Sequence, residues 1–258
     1  MRVFLLARLL ACGGLSVRLF ASDPTSLLER TRAGALEYSH SLPDFICTEI
    51  VHRSIEMAKP KIRRPLDTLT FTVGYGPAGE QRKLMLVDDI PTAASDDTLG
   101  GLRNLGEFGA MLAAIFDPAA ETRFEWTSST TVRRHAAAIY AYQVDRSRSA
   151  YMLSQGIRKP CQSVVVGVRG MVTVDRKTGQ VLQLVYQATD IPENFPLQYS
   201  STTVDYDFIS TAGKRYQLPV RSETEIRTGV FKARNSVEFF NYRKFIADST
   251  VHFDDPMR

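Results

Sequence analysis

Val164-Val165-Val166-Gly167-Val168-Arg169-Gly170-Met171-Val172-Thr173-Val174 runs into Asp175-Arg176-Lys177-Thr178-Gly179 and returns as Val181-Leu182-Gln183-Leu184-Val185-Tyr186. Apolar residues recur at every second position in both arms, the period of a pleated strand. The link between them is an acid, two polar residues and a Thr-Gly pair. Glycine there supplies the positive φ that a tight hairpin with a bulge requires. The stretch predicts two antiparallel strands joined by a turn.

The same grammar continues on both sides. Toward the C-terminus, Thr202 to Ile209 and Arg215 to Val220 flank Ser210-Thr211-Ala212-Gly213-Lys214, and Glu223 to Arg227 with Ser236 to Phe245 make a final pair. Upstream, Phe124 and Trp126 begin a strand that Arg133-Arg134-His135 turns back into Ala138, Tyr140, Tyr142 and Val144. Phe45 to Ile55 reads as a strand, and Leu69 to Val73 with Arg82 to Val87 as a hairpin around Gly74-Tyr75-Gly76-Pro77-Ala78-Gly79. Roughly ten or eleven strands in hairpin order predict an antiparallel meander rather than alternating βαβ units.

Two helices interrupt the strands. Asp23-Pro24 offers an N-cap and a proline at the first helical position, and Leu42-Pro43 ends the segment. Its stripe carries Leu27, Thr31, Gly34 and Tyr38, with Leu28, Ala35 and Leu42 alongside. Glu107 to Phe116 is the second helix; Phe108, Met111, Leu112, Ile115 and Phe116 follow the spacing of a buried face, and Asp117-Pro118 terminates it. Lys59-Pro60-Lys61-Ile62-Arg63-Arg64-Pro65 is basic and bracketed by prolines, a loop, and Pro91 to Gly101 is a polar loop before the second helix. The fold class is α+β, mainly antiparallel β, a curved open sheet covered by an N-terminal and a mid-chain helix.

The first residues carry an address. Met1-Arg2 is followed by Val3-Phe4-Leu5-Leu6, Leu9-Leu10 and small residues up to Ala21, the layout of a secretory signal peptide cleaved after Ala21. Arg8 and Arg18 break the apolar run, which is short of the ~20 mainly apolar residues of a membrane span. The mature chain is expected to hold no transmembrane segment and to form one domain, residues 22–258. Leu9-Leu10-Ala11-Cys12 also resembles a lipobox, in which Cys12 would be lipidated. The formal charge of +4 comes from 32 basic and 28 acidic residues, and the leader holds Arg2, Arg8, Arg18 and no acid. Without it 29 basic residues face 28 acids, which removes the case for a nucleic-acid partner. Cleavage also leaves two cysteines, Cys47 and Cys161. In an oxidising compartment they are available to a disulfide contributing about 4–5 kcal/mol on the chain-entropy model; two buried free thiols are the alternative.

Motifs for catalysis are missing. His40, His52, His135 and His252 form no metal-ligand spacing, and the glycines of Gly100-Gly101, Gly106 and Gly109 lack the lysine of a phosphate loop. Asp88-Asp89, Asp96-Asp97 and Asp254-Asp255 are adjacent pairs, whose side chains diverge along a strand. No metal, cofactor or catalytic residue is expected. An open sheet of this length exposes apolar area unless something covers it. Helices lying in its mouth would leave a lipophilic cavity, and Phe108, Met111, Leu112, Phe116, Phe124, Trp126, Tyr140 and Tyr142 are the residues expected around it, with ordinary core packing as the alternative for each.

Leu42-Pro43-Asp44-Phe45-Ile46-Cys47, Gly106-Glu107-Phe108-Gly109, Val165 to Asp175, Thr178-Gly179-Gln180-Val181-Leu182 and Thr203-Val204-Asp205-Tyr206 resemble stretches of uncharacterised secreted bacterial proteins. The order of elements is also similar to the LolA/LolB lipoprotein-carrier superfamily. That resemblance implies an unclosed barrel plugged by helices, a periplasmic or secreted location, and a non-enzymatic binding or carrier role toward a lipid, a lipoprotein acyl chain or an envelope protein. A protein-interaction or regulatory module of the same fold is the alternative it implies.

Overall fold

The computed structural model describes residues 24–57, 59–76, 79–95, 99, 106–155, 162–211 and 213–244. The expected leader, its cleavage site and Cys12 lie outside them, as does Cys161. Helix α1 (Pro24–Ser41) leads into β1 (Phe45–Met57), β2 (Ile62–Gly76), β3 (Gly79–Val87) and the short β4 (Ile90–Pro91). Helix α2 (Ala110–Phe116) precedes β5 (Arg123–Val132), β6 (His135–Val144), β7 (Met152–Gln155) and β8 (Gln162–Val165). Then come β9 (Gly167–Asp175), β10 (Val181–Thr189), β11 (Leu197–Thr211), β12 (Lys214–Thr228) and β13 (Phe231–Lys244).

Eleven strands form one sheet in the order β4-β3-β2-β1-β13-β12-β11-β10-β9-β6-β5, while β7 and β8 form a separate ribbon. Neighbours are antiparallel throughout, and the sheet does not close on itself: β4 and β5 are its edges. The meander is as expected, with two joins between strands not consecutive in sequence: β6 beside β9, across the β7–β8 ribbon, and β1 beside β13. The second join places Glu49 opposite Phe239 and Val51 opposite Val237.

The turns follow from local chemistry. Gly179 (φ 80°) completes the β9–β10 turn, where the Asp175 carboxylate accepts the backbone N–H of Lys177 at 2.7 Å and of Thr178 at 2.9 Å. The β5–β6 turn is tighter: Arg133 (φ 46°) and Arg134 (φ 70°) both take left-handed backbone, the requirement of a two-residue hairpin loop. Arginine is an unusual residue there. Arg133 compensates by donating to the carbonyls of Leu182 and Tyr206 and by lying 3.5 Å from the Asp207 carboxylate.

Four expectations need correction. The second helix begins at Ala110, three residues later than Glu107, because Gly106 (φ 95°) and Gly109 (φ 106°) adopt backbone a right-handed helix cannot contain. The basic segment read as a loop is already strand from Ile62; Pro65 is admitted where the β1–β2 register shifts between Arg53 and Ser54. Val164 to Val174 is broken at Val166 into β8 and β9. Arg215 to Val220 and Glu223 to Arg227 are one strand, β12, carried through Pro219 by a register shift against β11.

Both helices cover one face of the sheet. Leu27, Ala35 and Tyr38 of α1 and Leu112, Ile115 and Phe116 of α2 share a buried cluster with Tyr140, Tyr142, Val172, Leu184, Val204 and Tyr206. An isolated helix shorter than about 12 residues is marginal in water, so α2, with 7, exists through this packing. Leu112, Ile115 and Phe116 are each 1% exposed, and burying such side chains stabilises by roughly 1.5–3 kcal/mol apiece. A second cluster gathers Phe45, Phe71, Val73, Leu218, Val237 and Phe239 around Phe108, and a third packs Leu153 and Val166 against Ala188, Phe195 and Leu197.

Candidate functional site

A cavity of about 370 Å³ lies between α1, the β9–β10 turn and the start of β12. Its helix side consists of Thr31, Gly34, Ala35, Tyr38 and Leu42; its sheet side includes Val181, Tyr216 and Gln217, with Leu112 reaching in from α2. The room comes from small side chains. A Cβ at Gly34 would meet no atom within 4 Å, and Ala35 fills little of the space beside it.

The floor is fixed by hydrogen bonds. The Tyr38 hydroxyl donates to the Gln217 carbonyl at 3.0 Å, and the Gln217 amide donates to the Val181 carbonyl. Tyr38 also meets Tyr206 edge-to-face, ring centroids 5.8 Å apart. Thr31 turns its hydroxyl back to the Leu27 carbonyl at 2.9 Å and Ser41 to the Tyr38 carbonyl at 2.8 Å. Burial pushes the Tyr38 phenol well above its ordinary range, so it stays a neutral donor. Glu37, Gln180 and Arg215 add polar groups to the lining. An apolar interior with a few polar groups, in a volume of 300–1,000 Å³, is the usual form of a small-molecule site.

The residues singled out in the sequence are divided by the fold. Leu112, Phe116, Tyr140 and Tyr142 are buried in the α1–α2 cluster, with Met111 and Phe124 half-buried against it. Phe116 stacks on Phe124 at 4.9 Å, and the Tyr142 hydroxyl donates to the Val185 carbonyl at 2.8 Å. Phe108 belongs to the second cluster, 5.4 Å from both Phe45 and Phe239, and Trp126 on the edge strand is 51% exposed. Of the eight, Leu112 lines the cavity. The residues that sequence reasoning passed over are Gly34, Ala35, Tyr38, Gln217 and Arg215. A small-residue gap at Gly34-Ala35 within the apolar stripe of α1 was the available signal.

The other half of the sheet is polar beneath its aromatic cover. Arg82 donates two hydrogen bonds, 2.8 and 2.9 Å, to the Glu49 carboxylate, and the Ser222 hydroxyl donates to Glu107 at 3.1 Å. Burial pushes Glu49 up to about 8, against the pull of Arg82, and burial with the charge of Glu107 pushes Glu80 up to about 7. Cys47 is a free, buried thiol that burial raises to about 12. The arrangement therefore suits a protonated, unreactive sulfur. Among the described residues no group of three or more His, Cys, Asp or Glu is placed to hold a metal ion, and no helix is long and apolar enough to cross a membrane.

Three solved structures are similar in chain path. A DUF1329 family protein of Desulfovibrio piger is 11% identical over 90% of this chain and 98% of its own, with a TM-score of 0.41. A putative outer membrane lipoprotein-sorting protein domain of Vibrio parahaemolyticus is 11% identical over 85% and 92%, TM-score 0.37. A LolA superfamily protein of Nitrosomonas europaea is 12% identical over 86% and 93%, TM-score 0.35. The sequence matches no family model and no curated protein.

Proposed function

We propose that this chain is an exported, non-catalytic binding protein of carrier type. It holds a single hydrocarbon chain, from a lipid or a lipoprotein, between α1 and the open sheet. The observation that carries the reading is the 370 Å³ space walled by Ala35, Leu42, Leu112 and Val181. A helix laid across an unclosed sheet can separate from it without breaking a strand pairing, so ligand entry costs only side-chain contacts.

The test uses a dansyl-labelled undecanoic acid titrated into the mature protein, alongside mass spectrometry of lipid extracted from material purified without detergent. Saturable binding at one site, and a co-purifying acyl chain, are expected. Gly34→Leu adds a side chain where the structure offers open space, so it should fold and lose the binding. A wild-type protein that neither binds the probe nor carries lipid would remove the proposal.

A second reading rests on the sheet edge. Within the described sheet β5 pairs on one side only, with β6, and presents Trp126-Thr127-Ser128-Ser129-Thr130-Thr131, free of charge and proline. Such an edge can accept an extended segment of an envelope protein. Capture of a protein from envelope extract that persists in detergent and is lost on Ser129→Pro would favour this role over the first.

A further inference from the structure

The cavity has one cationic wall residue, Arg215. Its guanidinium lies 4.9 Å from the centroid of the Phe208 ring, and it forms no ion pair among the described residues. The one carboxylate of the lining, Glu37, is on α1 across the space, and both it and Arg215 are solvent-exposed. The surroundings decide between these two charges.

Strand directions bring four hairpin tips to this end of the sheet. The β2–β3 tip is separated from β12 by β1 and β13; the other three are β5–β6 with Arg133 and Arg134, β9–β10 with Arg176 and Lys177, and β11–β12 with Lys214 beside Arg215. The carboxylates at these three tips are engaged. Asp175 accepts two backbone N–H groups and lies 2.6 Å from His135 Nδ1, and Asp207 faces Arg133 at 3.5 Å. Arg30 of α1 donates to the carbonyls of Arg176 and Lys177, tying the helix to the same tip. With Arg30, Arg133, Arg134, Arg176, Lys177, Lys214 and Arg215 set against Glu37, Asp175 and Asp207, the rim's charge balance is positive, which raises the local concentration of anions.

We infer that the cavity selects anionic amphiphiles, with the tail against Ala35, Leu42 and Leu112 and a carboxylate or phosphate head group on Arg215. This deepens the binding role proposed above and rests on it. The planar guanidinium can take either head group through two parallel hydrogen bonds, and its place over an aromatic ring limits the freedom lost on binding.

The experiment compares dodecanoate, dodecyl phosphate and 1-dodecanol by calorimetric titration against the wild type, Arg215→Gln and Arg215→Lys. Both anions should bind the wild type about tenfold more tightly than the alcohol, a gap of about 1.4 kcal/mol, and 0.5 M salt should narrow it. The ratio should fall to near one in R215Q and be partly restored in R215K. Inorganic phosphate alone should not compete, which separates an amphiphile site from a free-phosphate site. Equal binding of acid and alcohol by the wild type would overturn the inference while leaving the carrier role standing. Binding of none of the three would overturn both, and competition by inorganic phosphate would replace the amphiphile with a tail-free anion.

Discussion

Gly170 is the position at which a single methyl group should do most damage. It lies in β9 between Tyr142 of β6 and Tyr186 of β10. A Cβ added there would sit 1.8 Å from the Val185 carbonyl oxygen, 2.8 Å from its carbon and 2.8 Å from the Tyr142 hydroxyl oxygen. Two of the three atoms are backbone and cannot rotate aside. The Val185 oxygen also accepts the Tyr142 hydroxyl, so a shift that relieves the clash breaks this bond. Leaving a buried hydroxyl unsatisfied costs about 1–3 kcal/mol, and forcing packed strands apart about 1–3 kcal/mol more. Gly170→Ala should therefore lose about 4 kcal/mol, lowering Tm by about 8–16 °C for a domain of this size. Urea unfolding followed by far-ultraviolet dichroism and tryptophan fluorescence measures it. Gly34→Ala is the control: the added methyl meets nothing within 4 Å, and an alanine in a helix should gain about 0.5–1 kcal/mol. A Gly170→Ala midpoint within about 1 kcal/mol of wild type would refute the close approach of β9 to β10 and Tyr142.

Other outcomes follow from the same packing. Phe116→Ala, which removes a side chain 1% exposed and stacked on Phe124, should cost roughly 3–5 kcal/mol in urea unfolding; a small loss would place Phe116 against open space. Glu225 faces Lys232 at 2.7 Å, Arg227 at 2.8 Å and Arg234 at 2.9 Å, and hydrogen bonds from these cations hold its carboxyl down at about 2, below the ordinary 4.5. A depressed folded pKa stabilises above the unfolded value, so Glu225→Gln should cost about 1 kcal/mol at pH 7 after allowing for solvent screening of the partners. That cost should vanish as pH falls from 4.5 through 2; a cost independent of pH would contradict it. Cys47, 1% exposed with its thiol raised to about 12, should not react with DTNB at pH 8 until the chain unfolds. Reaction within seconds in the native state would place it at the surface.

Much of the architecture was legible because it is local. The Val164–Tyr186 hairpin is written in alternating apolar residues and a Thr-Gly turn, each interacting within a few positions. α1, which starts at Pro24 and ends before Leu42-Pro43, was legible for the same reason. The pairing of β1 with β13 was not legible, since nothing in Phe45–Met57 specifies a partner at Phe231–Lys244. The start of α2 was missed because its apolar spacing extends back to Phe108, while the backbone at Gly106 and Gly109 forbids the helix there. That break sends Phe108 into one cluster and Leu112, Ile115 and Phe116 into another. β12 looked like two strands, split after Val220, because the register slips at that residue, and only pairing with β11 reveals the bulge. The cavity was hardest to read. Bulk marks a core, whereas space is marked by what is small, here Gly34 and Ala35, and by Gln217 and Arg215 brought close by pairing.

The central claim is that a hydrocarbon chain lies between α1 and the starts of β10 and β12. Photolabelling the mature protein with dodecanoic acid bearing a terminal diazirine, followed by peptide mapping, tests it directly. Adducts confined to residues 31–42, 112, 179–181 and 215–217, and abolished by Gly34→Leu, are the predicted result. Labelling centred on the edge strand around Trp126, or label in the cavity peptides that Gly34→Leu leaves intact, would contradict it.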